Sequence, residues 1–89
     1  MGGFYMKFHT IKSIKTLDNL ILLVSFESGE CKKYDFKPLI KKFKNFEQLK
    51  DNVLFNKARI DVGGYGIVWN ENIDISSEEL WKNGIMIEQ

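Results

Sequence analysis

The chain has 89 residues, 44% of them hydrophobic, 28% charged and 13% aromatic, which is the balance of one small globular domain rather than a disordered tail. A formal net charge of +1 excludes a strongly basic nucleic-acid module and an acidic mimic of one. The lone Cys31 excludes an intramolecular disulfide framework, and the lone His9 excludes a histidine-rich metal site.

Residues 1–6 read as a flexible N-terminal extension, with Met6 a second candidate start. They show neither the basic and apolar regions of a signal peptide nor the myristoylation pattern. Residues 7–89 are expected to form a single α+β domain. The first strand is expected from Lys7 to Thr16. Phe8, Thr10, Lys12 and Ile14 share one face, and His9, Ile11, Ser13 and Lys15 the other. Neither face is cleanly apolar, as suits an edge strand. Asp18-Asn19 marks a turn, and Leu20 to Phe26 reads as a buried strand. Its apolar run, Leu20 to Val24, is far short of the roughly 20 residues of a membrane-spanning helix. Glu27-Ser28-Gly29-Glu30 is a hairpin turn, and Cys31 to Phe36 returns with Lys32, Tyr34 and Phe36 on one face.

Pro38 then changes the period, since proline fits the first turn of a helix. Leu39, Ile40 and Phe43 follow at helical spacing with Lys41, Lys42 and Lys44 on the wet side, and Asn45 ends the turn. Phe46, Leu49, Val53 and Phe55 form a second, irregular helical patch. Lys57 to Val62 reads as a strand with Ala58, Ile60 and Val62 inward. Gly63-Gly64-Tyr65-Gly66 connects it to Ile67-Val68-Trp69, where Trp69 is expected to be buried. Asn70-Glu71-Asn72 is a turn, and Ile73 and Ile75 flank Asp74. Ser76 with Glu79 three residues on is a capping-box pattern that starts a helix at Ser77, ending near Lys82 before Asn83-Gly84. The order β-β-β-α-β-β-α implies an α+β fold, a small, mainly antiparallel sheet with short helices.

Few residues carry chemistry. Gly63-Gly64-Tyr65-Gly66 formally matches a nucleic-acid-binding GXXG loop, but that loop joins two helices and here the flanks are β-patterned. Cys31 and His9 lack the rest of a nucleophilic constellation, and a strand cysteine is ordinarily a small packing residue. Asp35, Asp61 and Asp74 near strand ends form a metal site only if the fold gathers them; otherwise they cap turns or pair with lysines. No catalytic residue, metal or cofactor is expected.

Charge is distributed unevenly. Residues 1–50 carry ten lysines and five acids, and residues 51–89 three basic and seven acidic residues. Lys32, Lys33, Lys37, Lys41, Lys42, Lys44 and Lys50 crowd one stretch, a positive face for an acidic partner or phosphates, or simply a solvated helix face. No arginine fork, reading helix or stacking platform accompanies it, so the isolated domain is not expected to bind nucleic acid specifically. The tail Ile85-Met86-Ile87 resumes apolar character after a helix stop. With Ile85 and Ile87 on one face it suits addition to an open sheet edge of the same molecule, a second copy or another protein. The first strand, guarded by Lys7, Lys12 and Lys15, is the expected edge. The candidate partner-binding residues are therefore Lys37, Lys41, Lys42, Lys44, Ile85 and Ile87.

Three blocks carry a family resemblance. They are Leu22 to Glu30, with Phe26 before the glycine turn; Tyr34-Asp35-Phe36-Lys37-Pro38-Leu39-Ile40 with Phe46, Leu49 and Phe55; and Ile67-Val68-Trp69 through Ile73-Asp74-Ile75 to Glu79-Leu80-Trp81. Over about Ile11 to Lys82 the chain resembles the bacterial domain-of-unknown-function 2442 family (DUF2442). It departs at Asn70, where the family commonly has proline, at Asn72, a usual glycine, and at Ser77, where proline often opens the last helix.

The resemblance implies a small α+β domain, alone or joined to a helix-turn-helix segment, whose gene often neighbours that of another small protein in a toxin–antitoxin-like arrangement. It brings no catalytic residues. With no room for the DNA-binding segment, the expectation is a cytoplasmic, non-enzymatic protein-interaction domain, the antitoxin-like member of such a pair, with homodimerisation as a further expectation. A DNA-associated regulator is the alternative, and a small enzyme a second one.

Overall fold

The computed structural model describes residues 9–87. The extension expected over residues 1–6 and the strand start at Lys7 and Phe8 lie outside them. The described residues form β1 (Ile11–Leu17), β2 (Ile21–Phe26), β3 (Cys31–Asp35), α1 (Lys37–Lys42), a 3-10 helix (Lys44–Lys50), α2 (Asn52–Phe55), β4 (Arg59–Ile60), a 3-10 turn (Val62–Gly64), β5 (Gly66–Asn70), β6 (Ile73–Ser76), α3 (Ser77–Asn83) and β7 (Ile85–Ile87). The class is α+β and every strand pairing is antiparallel. Instead of one small sheet there are two, β1-β2-β3-β7 and β4-β5-β6. The expected order lacked β6 and β7. Each is short, and isolated Ile-Asp-Ile or Ile-Met-Ile triplets declare a strand only once a partner is present.

The mixed faces of the first strand have a local cause. The register slips between Ile11 and Ser13, so that Ile11 pairs with Phe26 while Ile14 pairs with Val24. A bulge lets residues of opposite parity face the same side, and Ile11 and Ile14 both turn to the core. The strand starts at Ile11 rather than Lys7 and runs on through Leu17. Leu20 belongs to the turn rather than to β2, with φ at 61° after Asn19 at 64°.

Among the described residues the buried apolar side chains form one cluster. It joins Leu22, Val24, Phe26, Tyr34 and Phe36 of the first sheet and its β3–α1 junction with Ile67, Trp69, Ile73 and Ile75 of the second, closed by Ile40, Leu49, Phe55 and Leu80. Phe36 is central, meeting Tyr34, Phe55 and Trp69 edge-on at 4.7, 5.7 and 5.3 Å between ring centroids. Trp69 is 5% exposed, as its pattern predicts. Val53 and Val62 are not core residues: they are 67% and 91% exposed. The strand expected to Val62 stops at Ile60 because Asp61 caps the 3-10 turn, accepting the Val62 N–H.

The glycine-rich connection joins two strands. Gly64 has φ of 80°, and a Cβ there would lie 2.7 Å from the Ile11 carbonyl oxygen, so only glycine lets this turn close over β1. Ser76 caps α3 by accepting the Glu79 N–H at 3.1 Å. The Ser77 N–H donates to the Tyr65 carbonyl at 2.8 Å, a bond that a proline at this position could not make. Among the described residues, no helix is long and apolar enough to cross a membrane.

Candidate functional site

The site is built around α1. Asp35 accepts the Lys37 backbone N–H at 2.9 Å, satisfying a donor at the helix start, and Pro38 sits in the first turn. Lys41 and Lys42 occupy the last turn, where cations complement the helix dipole. The extended backbone of Phe43 stops the helix, rather than Asn45. Phe43 itself is 45% exposed, not part of the buried face.

Two grooves flank this helix. Lys37, Ile40 and Lys41, at helical spacing, line the first together with Leu20 from the β1–β2 turn and Glu47 and Lys50 from the 3-10 helix; its volume is about 660 Å³. Pro38, Leu39, Lys42 and Phe43 line the second with Tyr34, Asp35, Glu79 and Asn83, about 440 Å³. Lys37, Lys41 and Lys42 therefore rim the grooves, whereas Lys44 is exposed and lines neither.

The lysines divide into bound and unbound sets. Lys37 pairs with Asp35 at 3.0 Å and donates to the Asn19 carbonyl. Slight burial pushes the Asp35 pKa up, but the Lys37 backbone N–H and ammonium outweigh it and hold the carboxyl below its ordinary 3.8. Lys42 lies 5.6 Å from the Phe43 ring centroid. Lys41, Lys44 and Lys50 make no ion pair with any described residue.

Lys32 leaves the positive stretch altogether. It is 9% exposed, its ammonium stands 4.1 Å from the Trp81 ring centroid, and it donates to the Trp81 carbonyl in the last turn of α3. That is a structural role, satisfying a terminal helix carbonyl. In the second groove the Tyr34 hydroxyl donates to Glu79 at 2.9 Å, and the Asn83 amide donates to the same oxygen at 2.7 Å. Burial, then the bond to Glu79, push the Tyr34 pKa up, so the phenol stays protonated. Glu79 thus spends its carboxylate on β3 instead of closing the capping box.

The other candidates are dispersed. Asp61 and Asp74 border a shallow depression of about 280 Å³ on the second sheet, while Asp35 lies on the first. Among the described residues, no three His, Cys, Asp or Glu side chains gather to hold a metal ion. His9 pairs with Glu78 at 2.9 Å and stacks on Trp81 at 3.9 Å. Its backbone N–H, then its ring, hold the Glu78 carboxyl below the ordinary range. The Cys31 sulfur lies 3.2 Å from the Ser25 hydroxyl.

The tail does add to a sheet edge, but to β3 of its own molecule rather than to β1: Cys31 pairs with Ile87, Lys32 with Met86 and Lys33 with Ile85. Because α3 packs beside β3, the chain emerges from Gly84 next to that strand, and a Cβ at Gly84 would collide with the Leu80 carbonyl oxygen. Ile85 is 65% and Met86 51% exposed. Sequence reasoning missed Leu20 as a groove residue, and no signal beyond the adjoining Asp18-Asn19 turn could have found it. Tyr34, Glu79 and Asn83 come together only through the β3–α3 packing.

The comparisons bear on the whole of this architecture. The family model described as protein of unknown function (DUF2442) matches residues 11–85, from the first residue of β1 to the first of β7. No curated protein and no solved structure matches the chain. Since the match spans both sheets, all three helices and both grooves, the chain belongs to the DUF2442 family.

Proposed function

We propose that this domain is a non-enzymatic protein-binding module whose contact face is α1 with the following 3-10 helix, and that it serves in the cytoplasm as the antitoxin-like member of a two-gene pair. The observation that carries the reading is a run of lysines along α1 and the 3-10 helix, Lys41, Lys44 and Lys50, that make no ion pair with any described residue, with the half-exposed Phe43 at the junction of the two helices. Cationic side chains with no ion pair to a described residue, together with an aromatic anchor, suit an acidic protein surface. The gene arrangement implied by the family resemblance supplies the partner, the product of the adjacent gene.

A pull-down of that product by the purified domain tests the reading. Capture that is lost in the Lys41→Gln, Lys42→Gln, Lys44→Gln triple variant supports it. Capture unaffected by the triple variant refutes the contact face. Sequence-dependent duplex binding at physiological salt, with log affinity falling against log salt by about 0.9 per phosphate contacted, would favour a DNA-associated regulator instead.

A second reading, self-association, rests on β7. Its outer edge carries the exposed Ile85 and Met86 and none of the lysines that guard β1. Sedimentation at tens of micromolar separates a dimer from a monomer. A dimer that truncation after Asn83 leaves unchanged would take the tail out of the interface.

A further inference from the structure

Leu20 is held in the left-handed region, φ 61°, which a bulky side chain rarely adopts. The turn is pinned from the other side of the groove: the Leu20 carbonyl accepts the Phe36 N–H at 2.9 Å and the Asn19 carbonyl accepts the Lys37 ammonium. Glycine or asparagine would take this backbone with less strain. Leucine here packs partly buried against the core and also presents an apolar surface to the groove, whose lining includes Lys37, Lys41 and Lys50 with Glu47 the one acid.

We infer that this groove binds a short acidic segment of a partner protein, in which an apolar side chain sits on the exposed part of Leu20 while flanking carboxylates meet Lys41 and Lys50. The inference rests on the protein-binding reading above and names the chemistry recognised. Charge complementarity argues for it: of the three lysines lining the groove Lys37 is paired with Asp35, whereas Lys41 and Lys50 have no ion pair with a described residue, and Glu47 is the one acid in the lining. The apolar wall argues against a nucleic-acid backbone, which has nothing to bury there, and all the cations are lysine, without the fork that reads phosphates and base edges bidentately.

The test uses a fluorescein-labelled peptide with one leucine between acidic triplets, read by anisotropy against the full chain. A matching peptide with serine for the leucine and a duplex oligonucleotide serve as competitors. The leucine peptide is expected to bind, and the serine peptide and duplex to compete poorly. Lys41→Gln with Lys50→Gln should weaken binding about tenfold. Leu20→Gly suits the left-handed backbone but gives up packing against the core, so its fold is checked by a denaturant melt; folded, it should erase the preference for leucine over serine while keeping the dependence on Lys41 and Lys50. Lys12→Gln with Lys15→Gln on β1 should change nothing. No binding at millimolar peptide, equal competition by the duplex, or indifference to the Lys41/Lys50 and Leu20 variants would overturn the inference. If the adjacent gene's product is still captured by those same variants, the groove is wrong and the protein-binding reading stands; if the wild type captures nothing, that reading fails too.

Discussion

The indole N–H of Trp69 donates to the backbone carbonyl of Phe55 at 3.1 Å, and the two rings stack with centroids 6.3 Å apart. Trp69 is the next-to-last residue of β5 and Phe55 ends α2, so one residue pair ties the second sheet to the helical segment that follows the candidate site. Removing the ring by Trp69→Ala should destabilise the domain by about 3–5 kcal/mol, enough to unfold most domains of this size. Trp69→Phe keeps most of the packing and loses the hydrogen bond to a buried carbonyl, an effect of about 1–3 kcal/mol. Denaturant melts of both variants check the ranking. A Trp69→Ala protein that melts cooperatively near wild type would contradict it.

The two kinds of lysine should separate in the same assay. Lys32→Ala removes the stem packed against Gly84, the ammonium over Trp81 and the bond to its carbonyl, and should destabilise by about 1–3 kcal/mol. Lys41→Gln, Lys42→Gln and Lys44→Gln touch no buried feature and should each stay within about 0.5 kcal/mol of wild type. Equal effects would mean that Lys32 is an ordinary surface residue.

Much of this was legible in the chain. The glycine turn at Gly29, Pro38 in a first helical turn and Ser76 ahead of Glu79 are local signals, and each sits where its chemistry demands. What was hidden depended on tertiary contact. The bulge at β1 inverts the parity of Ile11 against Ile14, which alternation alone cannot report. Lys32 counts as a surface charge until α3 is seen to end above it. Of the candidate residues, Lys37, Lys41 and Lys42 were placed on grooves by the helical period of α1, but the opposite wall, Leu20, reads as part of an apolar strand. Ile85 and Ile87 do form a strand, and their pairing with β3 follows from where α3 leaves the chain.

Acid should weaken the contact between the His9 segment and α3. The His9 backbone N–H donates to Glu78 at 2.8 Å, and the folded carboxyl titrates below its ordinary 4.5. Its contribution is therefore complete above about pH 4.5 and is lost as pH falls through the lower folded value. The pair is substantially exposed, so the effect is about 0.2–1 kcal/mol. Glu78→Gln should remove it, leaving the variant less stable than wild type at neutral pH and equal to it in acid. Stability curves that remain parallel from pH 7 to pH 3 would contradict this.

Truncation after Asn83 strips β7 from β3 and leaves Lys32 and Cys31 at an unpaired edge. The shortened chain should lose about 1–3 kcal/mol and expose the β3 amides to solvent. Hydrogen exchange at Cys31 and Lys33 is the direct readout. Protection unchanged by the truncation would mean that β7 contributes no pairing in solution.

Contact with an acidic protein partner through α1 and its flanking groove is the proposal on which the others depend. The most direct measurement is the map of backbone amide shifts in the full chain as the protein encoded by the adjacent gene is added. Changes should concentrate at Leu20, Lys37, Ile40, Lys41, Lys42, Lys44 and Lys50 and fade as salt is raised through the range that screens exposed charges. Changes gathered instead on β5, β6 and the Asp61–Asp74 depression, or no changes at saturating partner, would contradict it.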